Sequence, residues 1–144
     1  MELKGKTRLR VRYAETDQMG IVYHSNYLIW FEVGRTELFR EIGLPYTRFE
    51  EQGLGLAVIE ASCRYRKPAR YDDELEIVTE IEKITTRSVA FSYQILRAGS
   101  LLAQGKTVHL FINKQGHHAD IRDTGLWSEL QLFANRKING VSAQ

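Results

Sequence analysis

The chain opens on a strict alternation. Residues 7–13 read Thr-Arg-Leu-Arg-Val-Arg-Tyr, with Leu9, Val11 and Tyr13 on one side and Arg8, Arg10 and Arg12 on the other. A period of two predicts a strand with one wet face. Lys4 and Lys6 extend the basic side upstream, and the group reads as a solvated strand face. Residues 15–25 are polar, contain Gly20 and fit neither helical nor strand period, so they read as a loop.

Residues 26–42 form the best helical pattern. Ser25 or Asn26 is placed to cap the first turn, and Gly43 with Pro45 beyond it supplies the stop. Tyr27, Leu28, Ile29, Trp30 and Phe31 cover the whole circumference of the start, and a polar side appears only from Glu32 onward. A helix apolar all round at one end is expected to be buried from several sides. Gly34 costs about 1 kcal/mol against alanine in a helix, which suggests close approach of another backbone.

Four strand-like runs follow at residues 56–66, 74–84, 88–97 and 101–113. In the second, Leu75, Ile77, Thr79 and Ile81 share a side; in the third, Val89, Phe91, Tyr93 and Ile95 do. The links at 85–87 and 98–100 are short, so the last three strands form a meander of hairpins. Residues 123–137 carry a weak helical pattern and 138–144 a polar tail. Strand, long helix and four strands predict an α+β domain, an antiparallel sheet folded around one central helix. One helix does not cover both ends of a five-stranded sheet, so dimerisation through a sheet edge is expected.

Composition narrows the classes. The 144 residues suit one domain, with 43% hydrophobic and 26% charged residues, an ordinary globular balance. Twenty basic residues stand against 18 acidic ones, a net charge of +2 that excludes a strongly polyanion-seeking surface, and no nucleic-acid partner is expected. Cys63 is the one cysteine, so an internal disulfide and a multi-cysteine zinc site are ruled out. The N-terminus is charged from its second residue and is not a secretory signal, and the apolar runs at 27–31 and 54–59 are too short for a bilayer. A cytoplasmic protein with no membrane insertion is expected.

The informative stretch joins the first strand to the helix: Tyr13-Ala-Glu-Thr-Asp17-Gln-Met-Gly20-Ile-Val22-Tyr23-His24-Ser-Asn26-Tyr27. A helix N-terminus offers unpaired N–H groups and about half a positive charge, suited to an oxyanion. A carboxylate upstream on a loop hinged by Gly20 is able to reach the same place, which is the arrangement acyl transfer requires. The alternative makes Asp17 a turn former and His24 an ordinary helix-start residue.

The pattern Arg12-Tyr13-x-Glu15-Thr16-Asp17-x-x-Gly20-x-Val22-Tyr23-His24-x-Asn26-Tyr27, followed by Phe31-Glu32-x-x-Arg35 and later Ala103-x-Gly105-x-Thr107, resembles a known family. It is similar to the 4-hydroxybenzoyl-CoA thioesterase-like branch of the hotdog-fold acyl-CoA thioesterases, within it the YbgC/FadM type, over about residues 7–115. The resemblance implies a five-stranded antiparallel sheet wrapped around a long central helix. It also implies dimers or tetramers with active sites between subunits, and acyl-CoA as substrate. Asp17 would act as nucleophile or general base, backbone N–H groups near Tyr23 and His24 would polarise the thioester carbonyl, and the His24 side chain would orient water or carbonyl. Gly20, Val22, Asn26 and Tyr27 would line the substrate. No metal and no cofactor are implied beyond coenzyme A as part of the substrate.

Arg64, Arg66, Lys67 and Arg70 make a second basic group. This group, with Arg64 and Lys67 foremost and together with Arg87 in a hairpin turn, is the candidate for the phosphates of coenzyme A, since guanidinium forks match phosphate oxygens. Other features carry less. Gly53-Leu-Gly55 leads into a strand and is no dinucleotide fingerprint, and no Gly-x-Ser-x-Gly elbow occurs. Cys63 reads as a buried small residue, His117-His118-x-Asp120 as a solvated turn, and Trp30 as core or acyl-pocket lining. Glu60 faces either the helix or water. A non-catalytic acyl-CoA or acyl-carrier-protein binding module and an acyl-thioester dehydratase are the alternatives to hydrolysis.

Overall fold

The computed structural model describes residues 4–132. Five strands form one antiparallel sheet: β1 (Lys4–Arg10), β2 (Gly55–Tyr65), β3 (Glu74–Ile84), β4 (Ser88–Arg97) and β5 (Ser100–Ile112), in the order β1-β3-β4-β5-β2. A 16-residue helix, α1 (Asn26–Glu41), and a short helix, α2 (Tyr46–Glu51), lie between β1 and β2 in sequence. Residues 125–132 are also helical, inside the predicted 123–137. The rest of that helix and the predicted tail at 138–144 lie outside the described residues. The α+β architecture and the β3–β4–β5 meander agree with the sequence patterns. β1 runs earlier than predicted because Val11 leaves the ladder, its amide donating to Asp73 O at 2.9 Å. Residues Tyr13–Glu15 then wind into one turn of 3-10 helix.

The alternating apolar positions of β3 and β4 face α1. Leu75, Ile77 and Ile81, with Val89, Phe91, Tyr93 and Ile95, are buried against Tyr27, Trp30, Phe31 and Leu38 of the helix. Each such side chain contributes about 1.5–3 kcal/mol by leaving water. Two glycines let the layers close. A Cβ on Gly34 would stand 2.8 Å from Ile77 Cγ2, so α1 packs closely on β3, against the side chains of Ile77 and Thr79 and not against another backbone. A Cβ on Gly105 would stand 2.6 Å from the ring of Phe31, which stacks on Tyr93 at 4.2 Å.

The ends of α1 differ from each other. Gly43, at φ +85°, closes the helix: its amide donates to Arg40 O at 3.1 Å and that of Leu44 to Phe39 O at 2.8 Å. At the start, neither expected cap works as one. Ser25 makes no side-chain cap bond, and Asn26 donates instead to Glu15 O at 3.0 Å. Nor is the first turn buried on all sides: Leu28 is 40% and Ile29 53% exposed. Val58 and Ile59 of β2, whose outer edge has no partner strand, are exposed too. Glu60 sits opposite Val108 after a bulge and is exposed, so it faces water. The basic residues of β1 form a solvated face, Arg8 and Arg10 pairing with Glu74 at 3.5 and 3.1 Å. Among the described residues no helix is long and apolar enough to cross a membrane.

Candidate active site

The loop between β1 and α1 is a small, tightly bonded body. Thr16 and Val22 form an isolated antiparallel bridge, with the Asp17 amide on Ile21 O at 2.8 Å. The chain reverses between them, Gly20 donating to Asp17 O at 3.0 Å from a φ of +79°, a conformation only glycine adopts freely. The Asp17 carboxylate accepts the Met19 amide at 2.8 Å and is half-buried. The returning limb is held by a second loop: Val22 donates to Ala69 O at 2.8 Å, and Ile21 bridges Arg70.

Between these two loops and the start of α1 lies a cavity of about 310 Å³. Ile21, Val22, Tyr27 and Pro68 give it an apolar wall, His24 and Tyr65 an aromatic side, and Arg66 and Lys67 a cationic rim. The tyrosine hydroxyls are spent on the frame. Tyr65 donates to His24 O at 3.0 Å, and Tyr27 accepts the Ala69 amide at 3.2 Å. Tyr65, with burial first and Cys63 beside it, is pushed up to about 12, so its hydroxyl stays protonated.

The structure brings Val22, His24, Tyr27 and Lys67 together as cavity lining. Asp17 and Gly20 form the adjoining turn. Two of the expected residues, Tyr23 and Asn26, are engaged within the frame. The Tyr23 amide donates to Glu15 O at 2.8 Å and is taken, while the amides of His24 and Ser25 have no acceptor among the described residues. The donors at the helix start therefore begin one residue later than the resemblance implies. The Asn26 side chain donates to Glu15 O at 3.0 Å and is a tie within the frame. Tyr23 is exposed and rests on the His24 ring at 4.5 Å between centroids.

The phosphate candidates are redistributed as well. Arg64 lies opposite Gln104 in the sheet and lines a separate cavity of about 690 Å³. Arg87 pairs with Asp120 at 3.5 Å in the β3–β4 hairpin, at the far end of β4 from the site. A ten-residue strand separates them, roughly 30 Å. From the same basic group, Arg66 lines the cavity with Lys67, and Arg70 follows on the bridge to Ile21. All three are exposed, and none of them has a carboxylate at ion-pair distance among the described residues, whereas Arg10, Arg48 and Arg97 are all paired. The uninterrupted cation density of residues 64–70 was the available signal. Tyr65 had only its place beside them at the end of a strand.

A family model described as "Thioesterase-like superfamily" matches residues 11–132. The chain belongs to that superfamily. It is 40% identical over 111 residues to YneP of Bacillus subtilis (strain 168), a match covering 76% of this chain and 80% of that one. To the acyl-CoA thioester hydrolase YbgC of Escherichia coli O6:H1 it is 35% identical over 94 residues, 65% of this chain and 70% of that one. Among solved structures it is similar to a DHNA-CoA thioesterase from Staphylococcus aureus, at 30% identity and a TM-score of 0.84, over 92% of this chain and 94% of that one. The matched region contains every element around the cavity, from the loop of Asp17 to the cations of residues 66–70.

Proposed function

We propose that the protein hydrolyses an acyl-CoA thioester to the free acid and coenzyme A. The observation that carries this reading is the cavity set against the uncommitted His24 and Ser25 amides at the start of α1, with the Asp17 carboxylate on the adjoining turn. The thioester carbonyl oxygen accepts from those amides, and the positive end of the helix stabilises the charge that grows there. Asp17 either attacks the acyl carbon or takes a proton from the attacking water. In the first route the C–S bond breaks to leave an acyl–aspartyl anhydride, which water then hydrolyses to the free acid and the Asp17 carboxylate. In the second, water adds to the acyl carbon and the C–S bond breaks as that adduct collapses. In both, the leaving thiolate takes up a proton released by the water. His24 orients water or carbonyl from the cavity wall. The scheme moves every proton and charge through the chain's own groups and includes no metal or further cofactor.

Arg66, Lys67 and Arg70 are read as the cations that meet the phosphates of coenzyme A. The sheet is read as wrapping α1 in a hotdog arrangement, completed by a second copy. Two β2 edges pair antiparallel and bring Val58 and Ile59 of each copy over Leu28 and Ile29 of the other, covering the surface one chain leaves bare. A single cysteine fits a cytoplasmic setting.

The test is release of free thiol from short, long and aromatic acyl-CoAs, with Asp17→Ala alongside. The variant is expected to lose at least ~100-fold in rate while staying folded. A near-wild-type rate in Asp17→Ala, or no turnover of any acyl-CoA by the wild type, overturns the reading.

A further inference from the structure

Glu15 is a carboxylate with 6% of its surface exposed, two residues before Asp17. Its oxygens join parts of the chain that are not otherwise connected. Oε1 accepts the Arg12 amide at 2.7 Å, where the chain leaves β1, and Oε2 accepts the indole N–H of Trp30 at 3.0 Å, more than a turn into α1. The Glu15 carbonyl takes two more donors, the Tyr23 amide at 2.8 Å and Asn26 Nδ2 at 3.0 Å. The residue thus holds both ends of the loop that carries Asp17 and also the helix that supplies the free amides. Trp30 is itself 2% exposed, packed on Tyr27 at 5.0 Å, and its indole N–H points at this carboxylate. A buried indole N–H needs an acceptor, and here the one that meets it is a carboxylate from the loop. Buried carboxylate oxygens that each accept a donor form a tight tie, and breaking such a network leaves the remaining members unpaired.

We propose that Glu15, through Trp30, is the positioning residue of the site. It locks the Asp17 loop to α1 in one register, and by occupying the Tyr23 amide it sets His24 and Ser25 as the donors left free for the carbonyl oxygen. Glu15 touches no reacting atom. Its contribution is to the distance and angle between carboxylate and oxyanion donors, where small misplacements cost large factors in rate. The inference rests on the thioester-hydrolase reading for its kinetic arm only.

The experiment compares wild type, Glu15→Gln, Trp30→Phe and the double variant. Glu15→Gln keeps the shape but presents an N–H to one of the two donors; Trp30→Phe keeps an aromatic core residue and removes the donor. Glu15→Gln is expected to lower kcat by at least ~10-fold with KM within ~3-fold, and the double variant to be no slower than the worse single one, because both break the same tie. Independently of turnover, the Trp30 indole N–H resonance is expected to move upfield in Glu15→Gln, and the Tyr23 amide to lose protection from hydrogen exchange. Losses that multiply in the double variant, or a Glu15→Gln kcat within 2-fold of wild type, overturn the proposal. Unchanged Tyr23 protection overturns it too, even if no acyl-CoA is turned over and the hydrolase reading fails on its own account.

Discussion

His109 is the residue whose chemistry departs furthest from its surroundings. It is fully buried, with Nε2 on Thr107 Oγ1 at 2.7 Å and no partner for Nδ1 among the described residues. Thr107 Oγ1 in turn hydrogen-bonds the Tyr93 hydroxyl at 2.6 Å, and Arg35 donates to Tyr93 at 3.5 Å. Phe91 closes the other side, ring to ring at 5.3 Å. Burial first, and the nearby Arg35 charge second, lower His109 from the ordinary 6.5 to about 4. The unfolded chain therefore takes up the proton before the folded one does. Stability that is complete above pH 6.5 is lost as pH falls towards 4, by about 3 kcal/mol at most. Urea midpoints measured from pH 7 to 4.5 are expected to fall less steeply in His109→Gln than in wild type; parallel curves would show that other groups set the acid limit. The sequence pattern placed residue 109 inside a strand and offered no hint of this. Burial of a histidine depends on which strands flank it, and only the paired sheet supplies that.

Helix α1 shows how far an element can be read from its own residues. Its length, its glycine stop and its contact at Gly34 were legible because each rests on local backbone chemistry or on one missing Cβ. The apolar ring at its start was legible as a pattern but not as a structure. It promised burial from several sides, and one chain delivers only part of it, leaving Leu28 and Ile29 exposed, as Val58 and Ile59 of the edge strand β2 are. That mismatch gives the proposed dimer its test. An edge strand is discouraged from pairing by a charge, so Ile59→Lys is expected to shift the protein from dimer to monomer in sedimentation or light scattering and to cost activity with it. A variant that stays dimeric would place the interface elsewhere.

For the molecule as a whole, strand order decides where chemistry gathers. β2 adds to the sheet beyond β5, not beside β1, and so the segment that follows β2 falls against the loop that follows β1. Residues 21–24 and 65–68, far apart in sequence, become two sides of one cavity, with Asp17 on the adjoining turn. The same order sends Arg87 to the opposite end of the sheet. If Arg66 and Arg70 meet phosphates, Arg66→Glu with Arg70→Glu raises KM for acyl-CoA by ~10-fold or more at low ionic strength and less at high salt. It leaves KM for the matching acyl-pantetheine, which lacks the nucleotide phosphates, unchanged. An equal rise for both substrates would mean that the charges act on the fold or the acyl end instead.

The sequence by itself determined what is periodic or local: the alternating faces of the strands, the span and stop of α1, the meander, and the loop whose residues mark the thioesterase-like superfamily. The tertiary structure decided what depends on partners distant in the chain. It chose the edge that β2 joins, the cations that flank the cavity, and the amides at the helix start that remain free once Glu15 has taken Tyr23. The reason is physical. A period of two or 3.6 fixes which way a side chain points within its own element, but any strand edge offers the same backbone donors and acceptors to any other. The choice among edges is made by the packing of whole faces, and with it the position of every loop that the strands carry.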